Sequence, residues 1–561
     1  MPLTTYALLA AFVSLALPAA HAEDRYSLPV KIHVDAAESH GPLKEIYRFF
    51  GADEPNYAYM KDGKKLLKHL GELHTEGPYF RTHNLMCTGP GTPALKWGST
   101  NMYREDANGA PIYDWEIVDL IFDTYLESGV RPYVQMGFMP EAMSSKPTPY
   151  QHAWRPGIRY DRVYTGWAYP PKDYEKWGEL CFQWAAHCVE RYGREEVEKW
   201  YWQTWNEANI GYWQGTAEEF YKLHDYAIAG VLKALPTARV GGPDTAGWGG
   251  EFAKRFYEHN LRGTNFATGE RGSRLDFVSF HAKGSPKWQG DFIRMGIANQ
   301  LQEIDRGFAL VGSFPELKNT PIIIGESDPE GCAACQGKDV SYRNGTMYSS
   351  YTAASFARKH DLADKHGINL EGALSWSFTF EDQAYFAGFR QMASNGLDLP
   401  VLNVMRMFSK MDGTRVAAES DHQVPLDAIV KDGVRERPDI GTLASRRDSQ
   451  IAVMVWYYHD DDLPGPNAHI SLDVAGFPSG VATATLTHHR VDAFHSNVYT
   501  EWQRMGSPVA PNEQQYAQLE QASALATVAD PATLPIEAGH TAVTFELPRQ
   551  GVSLLVFTWP E

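Results

Sequence analysis

The stretch DYEKWGELCFQWAAHCVERYGREEVEKWYWQTWNEAN runs from Asp173 to Asn209 and carries the unit from which the rest of the chain is read. Trp177, Leu180, Cys181, Trp184 and Cys188 recur at three- and four-residue spacing, the period of an amphipathic helix. Asp173 is placed to cap its first turn and Gly193 to stop it. The helix then feeds WYWQTW (200–205), a β-prone aromatic run that ends in the polar pair Asn206-Glu207. A helix leading straight into a strand is one step of a βα alternation.

The same step repeats outward in both directions. Candidate strands are YRFFGA (47–52), PYFRTHNL (78–85), VRPYVQMGF (130–138), WYWQTW (200–205), ARVGGP (238–243), LDFVSFH (275–281), PIIIGES (321–327) and GALSWSF (372–378). Eight such runs with helical stretches between them predict an α/β fold, a closed parallel (β/α)8 TIM barrel over 37–412. Beyond it, IAVMVWYYHDDD (451–462), ATATLTHHRV (482–491), HTAVTFEL (540–547) and VSLLVFTW (552–559) read as strands without helical spacers. They predict an antiparallel accessory β-sandwich over 413–561. LPVKIHVD, within 23–36, is expected to join it as an extra strand, with Trp456 and Tyr457 in the sandwich core. Residues 1–22 end in Ala20-His21-Ala22 after an apolar run and read as a secretory signal peptide. A periplasmic or secreted protein, free of the membrane after cleavage, is the expectation.

A net charge of −18 with no Lys/Arg run argues against nucleic acid as a partner. Aromatics at 13% suit a protein that stacks flat rings, although most belong in a core. Cys332 and Cys335 could close a small loop, whereas Cys181 and Cys188 lie too far apart on one helix to bridge. With no second cysteine pair there is no zinc pattern, and HDDD (459–462) reads as a polar turn. No metal and no cofactor are expected.

In a (β/α)8 barrel the chemistry sits at the C-terminal ends of the strands. Glu207 and Glu326 occupy such ends, on the fourth and seventh strands, and are expected to face each other across the mouth. Glycoside hydrolysis needs that pair: an acid for the leaving oxygen, and a carboxylate on the other face that attacks or activates water. The aromatic surround of Glu207 is expected to keep it protonated and to offer stacking surfaces to a sugar. Asn206 reaches the same pocket if the strand ends or bulges there, and its amide then meets a sugar hydroxyl. Asp328 and Glu330 lie close by, but Glu326 directly ends the apolar strand. The expected partner is an oligosaccharide. A sugar-binding protein without catalysis is the reading from another class, and the presence of both glutamates speaks against it.

HCVERYGREEVEKWYWQTWNEAN resembles a stretch of glycoside hydrolase family 39, which contains β-xylosidases and α-L-iduronidases. FRTHN (80–84), GFMPE (137–141), GGP (241–243), DFVSFH (276–281), IIIGES (322–327) and LSWSF (374–378) extend the likeness over most of the barrel. The resemblance implies a retaining mechanism with Glu207 as acid/base and Glu326 as nucleophile. It implies a sugar-binding amide at Asn206, substrate-contacting histidines at His83 and His281, and aromatic walls at Phe138, Trp213 and Trp376. In SWSFTFEDQ either Glu381 or Asp382 is placed to meet substrate hydroxyls. Ala208 replaces the proline of the family's WNEPN, and Lys283 stands where the xylosidases carry a tyrosine. A lysine there could contact a sugar carboxylate. The long loop 139–171, rich in Pro, Tyr and Trp, is expected to wall the cleft and favour chain ends. The expected activity is a retaining, exo-acting β-D-xylosidase, with an arabinoside or a uronide as the alternative substrate.

Overall fold

The computed structural model describes residues 27–93, 98–153, 162–332, 335–377 and 379–560, with the side chains of 150–166 left out. The predicted helix spans Tyr174–Tyr192. Asp173 accepts from the backbone N–H of Glu175 and Lys176, and Gly193 ends it at φ 83°, a left-handed conformation that glycine adopts without a Cβ penalty. The chain then enters the strand Tyr201–Thr204.

All eight predicted strands occur and lie in one parallel sheet. They are Phe49–Ala52, Tyr79–Thr82, Arg131–Met136, Tyr201–Thr204, Arg239–Thr245, Phe277–His281, Ile322–Glu326 and an eighth broken into Leu370–Ala373 and Ser375–Trp376. The break closes the barrel. Leu370–Ala373 pairs with the seventh strand, and Ser375 and Trp376 pair with Phe50 and Gly51 of the first.

The aromatic fourth strand is explained by strand alternation. Tyr201 points into the barrel, where it meets Tyr79 at 4.9 Å, Phe277 at 5.1 Å and Phe49 at 5.9 Å between ring centroids. Trp200 and Trp202 point outward; Trp202 meets Trp184 of the preceding helix at 5.8 Å, and Trp200 meets Phe122 at 5.4 Å. These rings are core on two sides of one strand. They are not a sugar platform, which corrects that part of the sequence reading.

The second sheet has ten strands, with Leu28–Pro42 in its interior between Thr414–Ser420 and Ala468–Ala475. The first pairing is antiparallel and the second parallel, so the module is mixed rather than wholly antiparallel. Along Gln450–Tyr458 alternate side chains divide. Ile451, Val453, Val455 and Tyr457 enter the module's own core with Val30, Ile32 and Ile470. Ala452, Met454, Trp456 and Tyr458 join the core that continues into the barrel. The helix Thr346–His366 fills that junction, buried along almost all its length, with Tyr351 against Tyr458 at 5.8 Å.

Two further corrections concern this module. Helices Leu426–Asp432, Val498–Arg504 and Glu513–Ser523 interrupt its strands, the last announced by a capping box between Asn512 and Gln515. HDDD, read as a polar turn, is buried except at Asp462. Asp460 and Asp461 are buried at the junction, where Arg294 donates to Asp461 at 2.5 and 2.8 Å, and the Tyr458 hydroxyl to Asp460 at 2.6 Å. In the barrel, Cys332 and Cys335 are bridged, closing the small loop that their spacing allows, and Cys87, Cys181 and Cys188 are buried. The leader reading falls on residues outside those described, as does the part of the expected cleft wall at 154–161. No helix among the described residues is long and apolar enough to cross a membrane.

Candidate active site

The fourth strand ends at Thr204, and the backbone then turns left-handed at Trp205 (φ 67°) and Glu207 (φ 48°). That conformation costs about 1–2 kcal/mol per non-glycine residue. It is held by the Trp205 indole donating to the Tyr212 carbonyl at 3.0 Å and the Glu207 N–H donating to the Asp244 carbonyl at 2.9 Å. The turn breaks the two-faced alternation, so Asn206 and Glu207 both sit at the barrel mouth.

Glu207 and Glu326 are brought together there. Lys283 Nζ donates to Glu326 Oε2 at 2.8 Å and to Glu207 Oε1 at 3.2 Å. The facing oxygens therefore lie at most about 6 Å apart, short of the separation that leaves room for an interposed water. Both are nearly buried, Glu207 at 7% and Glu326 at 3% exposure.

His281 stands behind them. Its Nδ1 lies 2.8 Å from Glu207 Oε1 and its Nε2 2.8 Å from Asp244 Oδ2, so each nitrogen faces a carboxylate and both donate. Burial by itself would lower its pKa, but Asp244, Glu326 and the two hydrogen bonds push it up to about 9. His83 is the opposite case. Arg81 can only donate, so His83 Nε2 accepts from it at 2.7 Å, and Nδ1–H donates to Asp53 at 2.8 Å. Burial and then Arg81 hold its pKa down, and it faces Glu326 as a neutral ring at 3.5 Å.

Arg81 organises the floor. It donates to Gln203 at 2.8 Å and to the Asn206 carbonyl at 2.8 Å, and it pairs with Asp244. Asn206 is thereby oriented, its carbonyl taken and its N–H2 group without a partner among the described residues. Arg390 donates to Glu326 Oε2 at 3.0 Å and lies 4.6 Å over the Trp376 ring.

The charges decide the protonation of the pair, and they overturn the expectation for Glu207. Burial would raise its carboxyl, but Lys283 and His281 outweigh burial and bring it down to about 2. Burial is likewise outweighed at Glu326 by Lys283, His281 and Arg390, which hold it well below the usual carboxylate range. Clamped by cations, both carboxyl groups are pushed toward the ionised form. Aromatic rings do not set the state of Glu207.

Of the aromatics named from sequence, Trp376 lies against His83 at 5.0 Å and is fully buried. Phe138 stacks on Tyr212 at 5.5 Å and meets His83 at 6.3 Å. Trp213 packs under Trp205 at 5.2 Å. Glu381 and Asp382 are not brought to the pair. Glu381 accepts from the Asp62 N–H at 3.0 Å at the start of a helix, and Asp382 is exposed beside it. Asp328, set aside in the sequence reading, is nearer the chemistry. It accepts from Tyr348 at 3.0 Å and from the Trp376 N–H at 3.0 Å, with Arg390 Nε at 3.6 Å. Arg81, Asp244 and Arg390 were missed. Arg81 carried a signal, two residues before His83 on one strand face, and Asp244 follows the quoted GGP. Arg390 sits in a loop with no period to betray it.

Among the described residues no group of His, Cys, Asp and Glu is arranged to hold a metal ion. A family model for glycosyl hydrolases family 39 matches residues 30–537. The chain belongs to glycosyl hydrolase family 39. Relatives within it carry two activities. A β-xylosidase of Caldicellulosiruptor saccharolyticus is 25% identical over 88% of this chain and 92% of its own. An α-L-iduronidase of Mus musculus is 27% identical over 90% of this chain and 77% of its own. The family 39 enzyme of Xanthomonas axonopodis pv. citri shares the fold at a TM-score of 0.73, with 20% identity, covering 95% of this chain and 98% of that one. This family 39 chain is a glycoside hydrolase.

Proposed function

We propose a retaining hydrolase in which Glu326 attacks the anomeric carbon and Glu207 protonates the departing oxygen, then deprotonates the water that releases the sugar. The approach of the two carboxylates within about 6 Å supports retention. Asn206, oriented by Arg81, is the amide for a sugar hydroxyl next to the reacting carbon.

The terminal sugar we favour is a uronide, and the carrying observation is Lys283. Its ammonium lies between the two carboxylates, with 21% of the side chain exposed. A neutral sugar would leave that cation nothing to bind beyond the glutamates, whereas a C5 carboxylate gives it a partner. The iduronidase relatives support this reading. The second reading, a β-xylosidase, is supported by the relative from Caldicellulosiruptor saccharolyticus.

The test is hydrolysis of aryl α-L-iduronide beside aryl β-D-xylopyranoside. A kcat/KM at least about 100-fold higher for the iduronide is expected, from one buried charge-assisted contact of about 3 kcal/mol. A preference for the xyloside would replace the first reading with the second. Glu326→Ala is expected to be inactive on the preferred glycoside, with azide restoring turnover as the inverted glycosyl azide. Restoration in Glu207→Ala with retained configuration would be the complementary result for the acid/base.

A further inference from the structure

The ionised state of Glu207 poses a chemical problem. Its Oε1 accepts from His281 at 2.8 Å and from Lys283 at 3.2 Å, and two cationic donors on one oxygen favour the charged carboxylate over the neutral acid that a leaving oxygen needs. One of the two donors has to yield before catalysis. His281 is fully buried, and its far nitrogen is anchored to Asp244, itself paired with Arg81. Lys283 is the movable one, a charge on a flexible four-carbon stem that opens to the cleft.

We propose that Lys283 is a substrate-operated latch on the acid/base: it bridges Glu207 and Glu326 in the free enzyme, and a carboxylate on the terminal sugar draws it off Glu207, which then takes up a proton. This rests on the uronide reading.

Burial and the Glu326 charge favour that outcome against the one hydrogen bond that stays, from His281. His281 and Lys283 reach it from the end of the sixth strand and Glu326 from the seventh, with Asp244 of the fifth behind His281. Arg390 from the loop after the eighth strand, and His83 and Arg81 from the second, all lie on the Glu326 side. With Lys283 withdrawn, Glu207 is left buried beside a like charge, and both circumstances favour its neutral form. His281 Nδ1–H stays on Oε1, so the proton goes to Oε2. Glu326 keeps the Arg390 hydrogen bond at 3.0 Å and remains the ionised nucleophile. The balance closes: the sugar brings one negative charge, and Glu207 takes one proton from solvent. That proton passes to the glycosidic oxygen as the C–O bond breaks and the Glu326 ester bond forms.

The latch is read from leaving-group dependence. A glycoside cleaved without acid assistance needs an acidic phenol, whereas one cleaved with it does not. Wild-type enzyme is assayed on aryl α-L-iduronides and aryl β-D-xylosides whose phenols run from dinitrophenol to phenol. The expected kcat/KM is nearly flat across the iduronides and falls at least about 100-fold across the xylosides, the usual worth of general acid catalysis. In Lys283→Met the xyloside series is expected to flatten, with phenyl xyloside cleaved faster than by wild type. A role in structure alone would not move that slope. Wild-type xylosides as flat as the iduronides would overturn the latch while leaving a uronide preference standing, and this comparison needs no variant to fold. Iduronides left uncut would overturn the uronide reading, and the xyloside slope would still decide whether Lys283 holds the acid off.

Discussion

Gly325 precedes Glu326, and a Cβ there would run into the Asp244 carboxylate, which Arg81 and His281 hold in place. Gly325→Ala is therefore expected to displace Asp244 and with it His281. Steady-state kinetics should show kcat/KM down by about 100-fold, the usual effect of a misplacement near 1 Å, with the circular dichroism spectrum unchanged. His281 has a pH signature in stability. Its pKa rises from 6.5 to about 9 on folding, so its contribution is complete below pH 6.5 and is lost as pH climbs through 9. Denaturant midpoints measured across that interval should fall with pH in wild type, and fall less in His281→Gln. Equal slopes in the two proteins would contradict an imidazolium between Asp244 and Glu207. The residues of this site were legible unequally. Glu207 and Glu326 end apolar strands, a position that periodicity exposes. The protonation of Glu207 was misread because the cations beside it, His281 and Lys283, come from the end of the sixth strand, 74 and 76 residues further on.

At the scale of elements, the helix Tyr174–Tyr192 was readable because its cap, period and stop all agree. Asp173→Ala removes a cap that accepts two N–H groups and should cost about 1 kcal/mol, seen as a lower denaturant midpoint with kcat unchanged. Trp202 is the larger test. It is fully buried against Trp184 on the outer face of its strand, and Trp202→Ala should cost about 3–5 kcal/mol. A small change there would mean that these rings are not the core they form in the structure. The sequence could not divide the aromatic run between core and cleft, since a ring pointing into the barrel and one pointing out differ only by register. The helices in the C-terminal module were passed over because Asn512 and Gln515 form a cap that is local and easily lost among strands.

For the whole molecule, Leu28–Pro42 is the piece whose place matters most. It lies inside the ten-stranded sheet, hydrogen-bonded on both edges to strands some four hundred residues later. Deleting residues 27–42 would split that sheet and expose Ile470 and Val474. The truncated chain is expected to lose its cooperative unfolding transition and to bind a hydrophobic dye. A chain that unfolds as sharply as the parent would show that the sheet closes without this strand. By itself the sequence determined the barrel, its eight strands and the two glutamates at their ends, because each follows from periodicity and strand polarity within a few tens of residues. Only the tertiary structure decided what surrounds those glutamates. Lys283, His281, Asp244, Arg81 and Arg390 reach them from four different segments, and charge acts through space at a few ångströms, irrespective of distance along the chain.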